Sequence, residues 1–390
     1  MLRGVRGFDT VNGGGAPLLF NNANGDDTQR TMVAGRDGNG LALFMLSSGF
    51  GNIQLTEVYD PQQTWGVHFD YAVGVSGQAP AYKVVEFLRI GTVAGTVVSL
   101  RQRSDGKIDI LNDSGAIIVT SSESVPAVAD ALAANYVGIE LKVVAGPIGS
   151  VEMHFDGVQV AQANVALPGP PYPDRITIHD NGFGPPGCIF DNMVIWDGQQ
   201  GDRFNTFTGR LRVITLPPIA DTATNWAPST GTECFPRVNS TTGPSGDASF
   251  ISPVAGGGDQ LFTITKPTCF AAIYALAINA CARPTSGAPT LDFLFQGKTS
   301  TQVIGSVHPA FVGRWNTNEL IAQKDYLYYQ ALAVNSPDSG DMWTDQEITN
   351  AEFGLGASAT PTLRVCQFYL EKVASLVPQP FDCGGGPYTF

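Results

Sequence analysis

The sequence lacks the features that mark several large classes of protein. No apolar run approaches the roughly 18 residues needed to cross a bilayer, so no membrane partner is expected. The opening segment MLRGVRGFDT lacks the apolar stretch of a secretory signal, and we expect any export to follow another route, such as cell lysis. Lys and Arg total only 22 and are scattered, so the formal charge of −13 would repel nucleic acid.

Motifs for enzyme chemistry are also missing. There is no GxSxG nucleophile elbow, no HExxH zinc motif and no GxxxxGK(S/T) phosphate-binding loop. A glycoside hydrolase needs two carboxylates held about 5 to 9 Å apart, and the ExDxxE pattern that supplies them on a jelly-roll strand is absent. The nearest arrangement is Glu152 with Asp156, and Asp156 is better explained by its turn before Gly157. We therefore predict that the chain is not an enzyme.

The cysteines do not indicate a metal centre. No two of them form a CxxC pair, and none has a histidine at zinc-ligand spacing, so zinc is not expected. The preferred interpretation is buried free thiols, and disulfides formed after release into an oxidising medium are the alternative. The six positions are Cys188, Cys234, Cys269, Cys281, Cys366 and Cys383.

The abundant residues favour strands joined by tight turns. Glycine (45 residues) and proline (26) separate short segments with alternating polar and apolar residues, which is typical of half-buried strands, so the predicted fold class is all-β. Only residues 125–136, VPAVADALAANY, have the composition of a short helical connector. CFAAIYALAINAC, residues 269–281, is predicted as a strand of a covered sheet, with a helix as the alternative. Thr344 precedes Glu347 at capping-box spacing, which predicts a helical turn with Trp343 and Phe353 packed beside it.

Residues 136–160, YVGIELKVVAGPIGSVEMHFDGVQV, contain charged side chains that alternation assigns to one face. Glu140 and Lys142 share one side of the first predicted strand, and Glu152 and His154 share one side of the second. We interpret this side as a solvated outer face. A metal-binding or catalytic role for Glu152 and His154 is the alternative.

A series of motifs across about residues 5–200 resembles a known family. GFDT, WGVHFDYAV, SDGKIDIL, YVGIELKVV, GSVEMHFDGVQV and IFDNMVIWDG follow one another in this order. Their order and spacing resemble the laminin-G-like, concanavalin-A-like jelly roll found in virion proteins of tailed phages. The resemblance implies a jelly-roll β-sandwich domain over residues 1–200.

A second series, GRLRVITLPP, NWAPSTGT and WTDQEITNAEFG, extends over about residues 204–373. It resembles the C-terminal module that phage tail-fibre-like and minor structural proteins carry after such a jelly roll, although the four cysteines within it depart from that pattern. The resemblance implies a second β-sandwich over residues 201–376, with a separate core, joined to the first through the polar linker GQQGDRFN.

The same resemblance implies a structural role in a tailed-phage virion, assembled in the host cytoplasm. The protein would be displayed on the particle exterior as a tail fibre, minor tail protein or capsid decoration protein. Its expected partners are other virion proteins and further copies of itself, with a trimer favoured because virion appendages mount on symmetric platforms. A contribution to host-surface attachment is compatible with this role.

The alternative function is a carbohydrate-binding module, in which exposed aromatic side chains stack on sugar rings. Tyr172 in PYPDR and Phe183 in NGFGPPG are the candidates, and a phage fibre can also bind a host-surface glycan. Calcium is the one cofactor that the resemblance suggests, since laminin-G-like domains sometimes bind it at a rim of the sandwich. Asp180, Asn181 and Asp191 are the candidate ligands, although such residues more often form turns.

The chain ends in VPQPFDCGGGPYTF, residues 377–390. Its prolines and consecutive glycines are incompatible with a helix or a central strand, so we predict an extended arm. Aromatic side chains gain stability when they are buried, which favours docking on a neighbouring subunit or virion protein over a disordered end. The predicted contacts are Phe381, Cys383, Tyr388 and Phe390.

Overall fold

A computed structural model gives the fold of the chain. Within the residues that it describes, no helix is long and apolar enough to span a membrane. The predicted C-terminal arm, with Phe381, Cys383, Tyr388 and Phe390, lies outside them. The described residues are 1–7, 22–24, 30–34, 41–45, 53–74, 82, 84–125, 127–128, 136–180, 187–198, 204, 206–240, 244–254, 258–266, 272–285, 289–298, 300–307, 326–357 and 363–375.

The first module is built from short strands connected by turns. In chain order these are β1 (Leu2–Arg6), β2 (Asn22–Asn24), β3 (Arg30–Ala34), β4 (Leu41–Met45), β5 (Ile53–Val58), β6 (Thr64–Gly74), β7 (Val85–Thr92), β8 (Gly95–Gln102), β9 (Lys107–Asn112), β10 (Ile117–Ser124), β11 (Ala127–Val128), β12 (Val137–Val144), β13 (Ser150–Phe155), β14 (Val158–Asn164), β15 (Arg175–Asp180) and β16 (Gly187–Asp197).

These strands form two sheets. Nine of them make sheet A, in the order β14-β13-β12-β6-β16-β4-β3, with β1 beside β16 and β11 beside β6. The other seven make sheet B, in the order β10-β9-β8-β7-β15-β5-β2. The non-consecutive neighbours show that the chain crosses between the sheets repeatedly, as in a jelly roll.

The two sheets enclose one apolar core. Trp65, Phe69, Tyr71, Phe87 and Phe190 are fully buried in it, and the Tyr71 and Phe87 rings stack with centroids 4.3 Å apart. Alternation places these residues inward, because successive side chains of a strand point to opposite faces. The predicted all-β fold class, with a jelly-roll first module, is confirmed.

The second module follows the same principle with longer strands. Its elements are β17 (Leu211–Leu216), β18 (Pro218–Ala223), β19 (Trp226–Pro228), α1 (Phe235–Val238), a 3-10 turn (Gly246–Ala248), β20 (Ile251–Pro253), β21 (Gln260–Ile264), β22 (Ile273–Pro284), β23 (Leu291–Gln296), β24 (Thr301–Val307), β25 (Leu327–Ala333), α2 (Asp345–Asn350), β26 (Glu352–Ala357) and β27 (Leu363–Ser375).

Two sheets again face each other across an apolar core. Sheet C has the order β19-β20-β27-β22-β25, with β17 beside β27, and sheet D has the order β18-β21-β26-β23-β24. The core between them contains Phe262, Phe293, Phe295, Phe353 and Phe368. The segment CFAAIYALAINAC supplies β22, so its prediction as a strand of a covered sheet is confirmed from Ile273 onwards.

The predicted capping box at α2 is present. The Thr344 hydroxyl accepts a hydrogen bond from the Glu347 backbone N–H (3.1 Å), and the Glu347 carboxylate accepts one from the Thr344 N–H (2.8 Å). Trp343 and Phe353 pack beside the helix with ring centroids 6.2 Å apart. Lys372, which is buried in β27, donates to Asp345 at the start of the same helix (2.8 Å).

The expected helix over residues 125–136 is not found in the described part of that segment. Ala127 and Val128 instead form β11, which pairs in parallel with Val73 and Gly74 of β6, and residues 129–135 lie outside the described ranges. A single pair of backbone contacts to a neighbouring strand has outweighed the local helix propensity of these residues.

The preferred interpretation of the cysteines as buried free thiols holds for four of them, since Cys188, Cys234, Cys281 and Cys366 are buried and free.

The two modules share a buried contact between the outer faces of sheets A and C. Strand β1 lies within it: the Val5 N–H donates to Gln330 Oε1 (3.1 Å), and Gln330 Nε2 donates to the Val5 carbonyl (2.9 Å). The Gly7 N–H donates to Glu371 Oε1 (2.7 Å). The apolar residues of this contact are Leu2, Val5, Val194, Trp196, Phe204, Leu211, Val213, Ala275, Ala277 and Val373.

The charged face of residues 136–160 is an outer face of the sheet, as predicted, but it is not fully solvated. Glu140 is only 1% exposed, and its carboxylate accepts hydrogen bonds from the Thr208 N–H (2.8 Å) and the Gly209 N–H (3.1 Å). The His154 ring stacks on Phe207 with centroids 3.7 Å apart. The solvated interpretation is therefore wrong for Glu140, because the segment that follows the first module folds back over sheet A.

Candidate functional site

The outward side of sheet B carries two rows of polar side chains that run across the strands. The register pairs Thr120 with Asp109, Asp109 with Arg101, and Arg101 with Glu86. A second row pairs Ser99 with Arg89, Arg89 with Thr177, and Thr177 with Thr56. We call nine side chains the polar face: Thr120, Asp109, Arg101, Glu86 and His179 in the first row, and Ser99, Arg89, Thr177 and Thr56 in the second.

Alternation along each strand places these side chains outward. Leu100, Ile110 and Ile178 belong to the core between the sheets, so the residues beside them in sequence face the other way. Arg101 follows Leu100, Asp109 precedes Ile110, and Thr177 and His179 flank Ile178. Alternation in β8, β9 and β15 therefore places these polar side chains on one face, and in β7 a bulge between Glu86 and Leu88 brings both Glu86 and Arg89 to the same face.

Ion pairs hold the first row in place. Arg101 Nη2 donates to Asp109 Oδ2 (2.7 Å), and the Thr120 hydroxyl donates to Asp109 Oδ1 (2.7 Å). Arg89 Nε donates to the Glu86 carboxylate, three residues before it on the same strand. Each guanidinium group thus has a carboxylate partner, and charge-assisted bonds of this kind fix the orientation of both groups.

The second row is held by hydroxyl groups. Thr56 and Thr177 lie opposite each other on β5 and β15, and their hydroxyl oxygens are 2.8 Å apart in a buried hydrogen bond. Ser99 lies opposite Arg89 on the neighbouring strand β8. Small hydroxyl residues between longer charged ones leave the Arg89 and Arg101 side chains as the most exposed parts of the face, each about one third exposed.

His179 lies on β15, at the end of the first row opposite to Thr120. Its side chain is 0% exposed, and its Nε2 lies 3.4 Å from Glu86 Oε1. Burial lowers the pKa of His179 to about 3, with a smaller contribution from the positive charge of Arg89. The imidazole is therefore neutral at physiological pH, with one nitrogen that can donate and one that can accept.

Three buried nitrogen atoms of the polar face have no hydrogen-bond partner among the described residues. They are Nδ1 and Nε2 of His179 and Nε of Arg101. Leaving such atoms unpaired costs about 1 to 3 kcal/mol each, so most buried polar atoms in proteins are paired. With two guanidinium groups balanced by two carboxylates, the face offers donors and acceptors without net charge. That combination suits a ligand rich in hydroxyl groups.

The predicted sugar-stacking residues lie elsewhere. Tyr172 is half-buried and packs against the core of the first module, while Phe183 lies outside the described residues. The assignment of these two residues to glycan binding stays a prediction.

The predicted calcium ligands are not brought together where the structure describes them. Asp180 is buried at the end of β15 in sheet B, and Asp191 is buried in β16 of sheet A beside Asp70. Asn181 lies outside the described residues. Throughout the described ranges, no three His, Cys, Asp or Glu side chains form a group that could hold a metal ion. Calcium binding therefore stays a prediction without support from these residues.

Sequence reasoning did not identify the polar face, although part of the signal was available. Alternation in TVVSLRQRS, KIDILND and RITIHD shows which side chains point outward. It does not show which of them become neighbours. The pairing of Arg101 with both Asp109 and Glu86 depends on the register of three strands, and that register is a property of the folded sheet.

Comparisons with known proteins return structures of similar fold and low identity. An alginate lyase, Aly36B, matches with 13% identity and a TM-score of 0.33, over 49% of this chain and 95% of that chain. An endo-β-1,4-glucuronan lyase from the fungus Trichoderma reesei matches with 12% identity and a TM-score of 0.33, over 46% and 91%. A protein with a galectin-like fold from Bacillus subtilis matches with 9% identity and a TM-score of 0.30, over 43% and 87%. No family model and no curated protein matches the sequence.

These matches correct one prediction. The prediction that the chain is not an enzyme is contradicted, because polysaccharide lyases are among the structures that match it. The prediction depended on missing motifs, and a sheet can assemble reactive groups from separate strands without a local motif. At these identities and TM-scores the likeness concerns the fold alone, and no activity of those proteins is transferred to this chain.

Proposed function

We propose that the protein binds a carbohydrate on the polar face of sheet B. The observation that carries this proposal is the pair of cross-strand rows, in which hydroxyl, guanidinium and carboxylate groups alternate over six neighbouring strands. Sugars present hydroxyl groups that donate and accept at once, and such a ligand pairs with both kinds of group along one surface.

The ion-paired arginines make this face a preorganised one. Arg101 and Arg89 are each held by a carboxylate before any ligand arrives, so little side-chain freedom is lost on binding. Recognition here depends on hydrogen bonds, because none of the nine side chains of the polar face is a Phe, Tyr or Trp on which a sugar ring could stack. Carbohydrate binding by this route is sensitive to single polar substitutions at the face.

A charge-removing substitution with a matched control tests the proposal. Arg101→Met removes the guanidinium group, keeps an unbranched apolar stem and leaves Asp109 bonded to Thr120. The control is Arg364→Met in the second module, since Arg364 also donates to an aspartate at 2.7 Å and is equally exposed (34% against 32%). On an array of microbial polysaccharides, Arg101→Met is expected to weaken binding about tenfold or more, and Arg364→Met to leave it unchanged.

Two results would contradict the proposal. One is the absence of binding to any polysaccharide by the folded wild-type protein. The other is equal binding by both variants, with circular dichroism and thermal unfolding showing that each is folded. Chain-length analysis of the bound glycan after incubation separates binding from cleavage in the same experiment.

A second proposal concerns the biological setting. We infer a structural role on the exterior of a tailed-phage virion from the ordered motifs of residues 5–200 and 204–373. The buried contact between the modules supports a rigid two-module unit suited to an appendage. Mass spectrometry of purified particles should detect the protein, and sedimentation should show the expected trimer. Its absence from particles would contradict the virion role, and a monomer at micromolar concentration would contradict a trimer that forms free in solution.

A further inference from the structure

The shape and charge of the polar face specify the class of carbohydrate more closely, an inference that rests on the proposed function. We infer that the ligand is an uncharged, linear polysaccharide that lies along the two rows, perpendicular to the strands. The polar face extends from Thr120 on β10 to Thr56 on β5 and crosses six strands. At about 4.8 Å between neighbouring strands, five steps give a length of about 24 Å.

This length favours a chain over a single sugar. A monosaccharide or disaccharide would contact two or three strands and leave the rest of both rows in water. A chain of roughly four or five rings, each about as long as one strand spacing, would extend over all six strands. The two rows run side by side on β8, β7 and β15, so one extended chain can follow the first row towards β10 and the second row towards β5.

The charges of the face argue against an acidic polysaccharide. Arg101 forms an ion pair with Asp109, and Arg89 forms one with Glu86, so the positive charge of each guanidinium group is compensated. A carboxylate or sulfate group arriving at either arginine would also meet the aspartate or glutamate that holds it, which is repulsive at close range. The whole chain adds to this repulsion with a formal charge of −13.

Titration calorimetry with a length series tests the inference. The probes are linear glucan, mannan and xylan oligosaccharides of increasing length, together with the same glucans oxidised to carboxylates at C6. We expect one of the uncharged series to bind with an affinity that rises with length up to roughly four or five rings and then levels off. The affinity should change less than about twofold between low and high salt, because no net charge is neutralised.

Variants at the two ends of the face give a second readout. Thr120→Val removes the outermost hydroxyl of the first row, and Ser306→Ala is its control, because Ser306 also donates to an aspartate at 2.7 Å, in the second module. Thr120→Val is expected to weaken binding of the longest oligosaccharides several-fold and to leave short ones unaffected. Ser306→Ala should change neither.

The outcomes separate this inference from the proposed function. The inference is wrong, while carbohydrate binding stands, if the protein prefers the oxidised glucans and binds them with an affinity that depends on salt. It is also wrong if a disaccharide binds as tightly as the longer oligosaccharides. If the protein binds no member of either series and no polysaccharide on the array, both the inference and the proposed function are wrong. If Thr120→Val weakens the binding of long and short oligosaccharides equally, the ligand does not lie along the rows.

Discussion

At the scale of single residues, His179 is the most unusual side chain of the polar face. It is fully buried, its pKa is lowered to about 3, and the charged groups that face it are Glu86 and Arg89. Burial is the main cause of the lowered pKa, and the positive charge of Arg89 lowers it further. A neutral histidine in such a place has a direct consequence for stability.

We predict that His179 makes the protein less stable in mild acid. The unfolded chain binds a proton at this residue near pH 6.5, whereas the folded chain does so only near pH 3, so the unfolded state holds more protons in between. The free energy of unfolding should therefore fall as the pH falls through this window, by up to about 1.4 kcal/mol per pH unit. Urea unfolding of the wild type and His179→Gln at several pH values measures the difference. Equal slopes for the two proteins would contradict this account.

At the scale of elements, α2 shows how one short helix is held between two strands of the second module. Its six residues would not be stable alone, because helix nucleation is costly. The capping box satisfies backbone groups at its start, Lys372 holds Asp345 in its first turn, and Ile348 is buried on its inner side. Trp343 precedes it and donates from Nε1 to the Ala333 carbonyl (2.9 Å), which fixes its position on the sheet.

Thr344→Ala should destabilise the second module by about 0.5 to 2 kcal/mol, because the Glu347 N–H loses its acceptor and the start of the helix frays. The matched control is Thr349→Ala at the end of the same helix, where the hydroxyl bonds only to a carbonyl already within the helix (2.7 Å). The control should cost less than about 0.5 kcal/mol. The free energy of unfolding in urea measures both. A larger loss for Thr349→Ala than for Thr344→Ala would contradict the role of the cap.

At the scale of the whole molecule, the contact between the modules is more extensive than a flexible linker would require. Strand β1 pairs with β16 of the first module, while Gln330 and Glu371 of the second module bond to its backbone. The segment after the first module returns over sheet A, where Glu140 and His154 bind it. The predicted boundary near residue 200 stays a prediction, and these contacts cross it.

This contact predicts that the two modules unfold together. Gln330→Ala should remove both hydrogen bonds to Val5 and cost about 1 to 3 kcal/mol, because both bonds lie in the partly buried contact between the modules. Differential scanning calorimetry should show one transition for the wild type and a broadened or split transition for the variant. Gln296→Ala, on sheet D, provides a control that leaves the contact intact. Two separate transitions in the wild type would contradict the prediction.

The sequence by itself determined the local structure of this protein. Alternation and turn residues predicted the all-β fold class and the strand β22 of a covered sheet. The spacing of Thr344 and Glu347 predicted the capping box. These features depend on residues a few positions apart, whose conformations are set by sterics and short-range hydrogen bonds. The outer-face position of Glu140 was likewise predictable from period 2.

Only the tertiary structure decided what lies beside or above those faces. Glu140 is buried by Thr208 and Gly209, nearly 70 positions later in the chain, and no local pattern encodes that cover. The second row of the polar face arises because strands from distant parts of the chain align Thr177 with Arg89 and with Thr56. Strand register and sheet packing are set by the fit of whole faces, so contacts between distant residues appear only when the chain is folded.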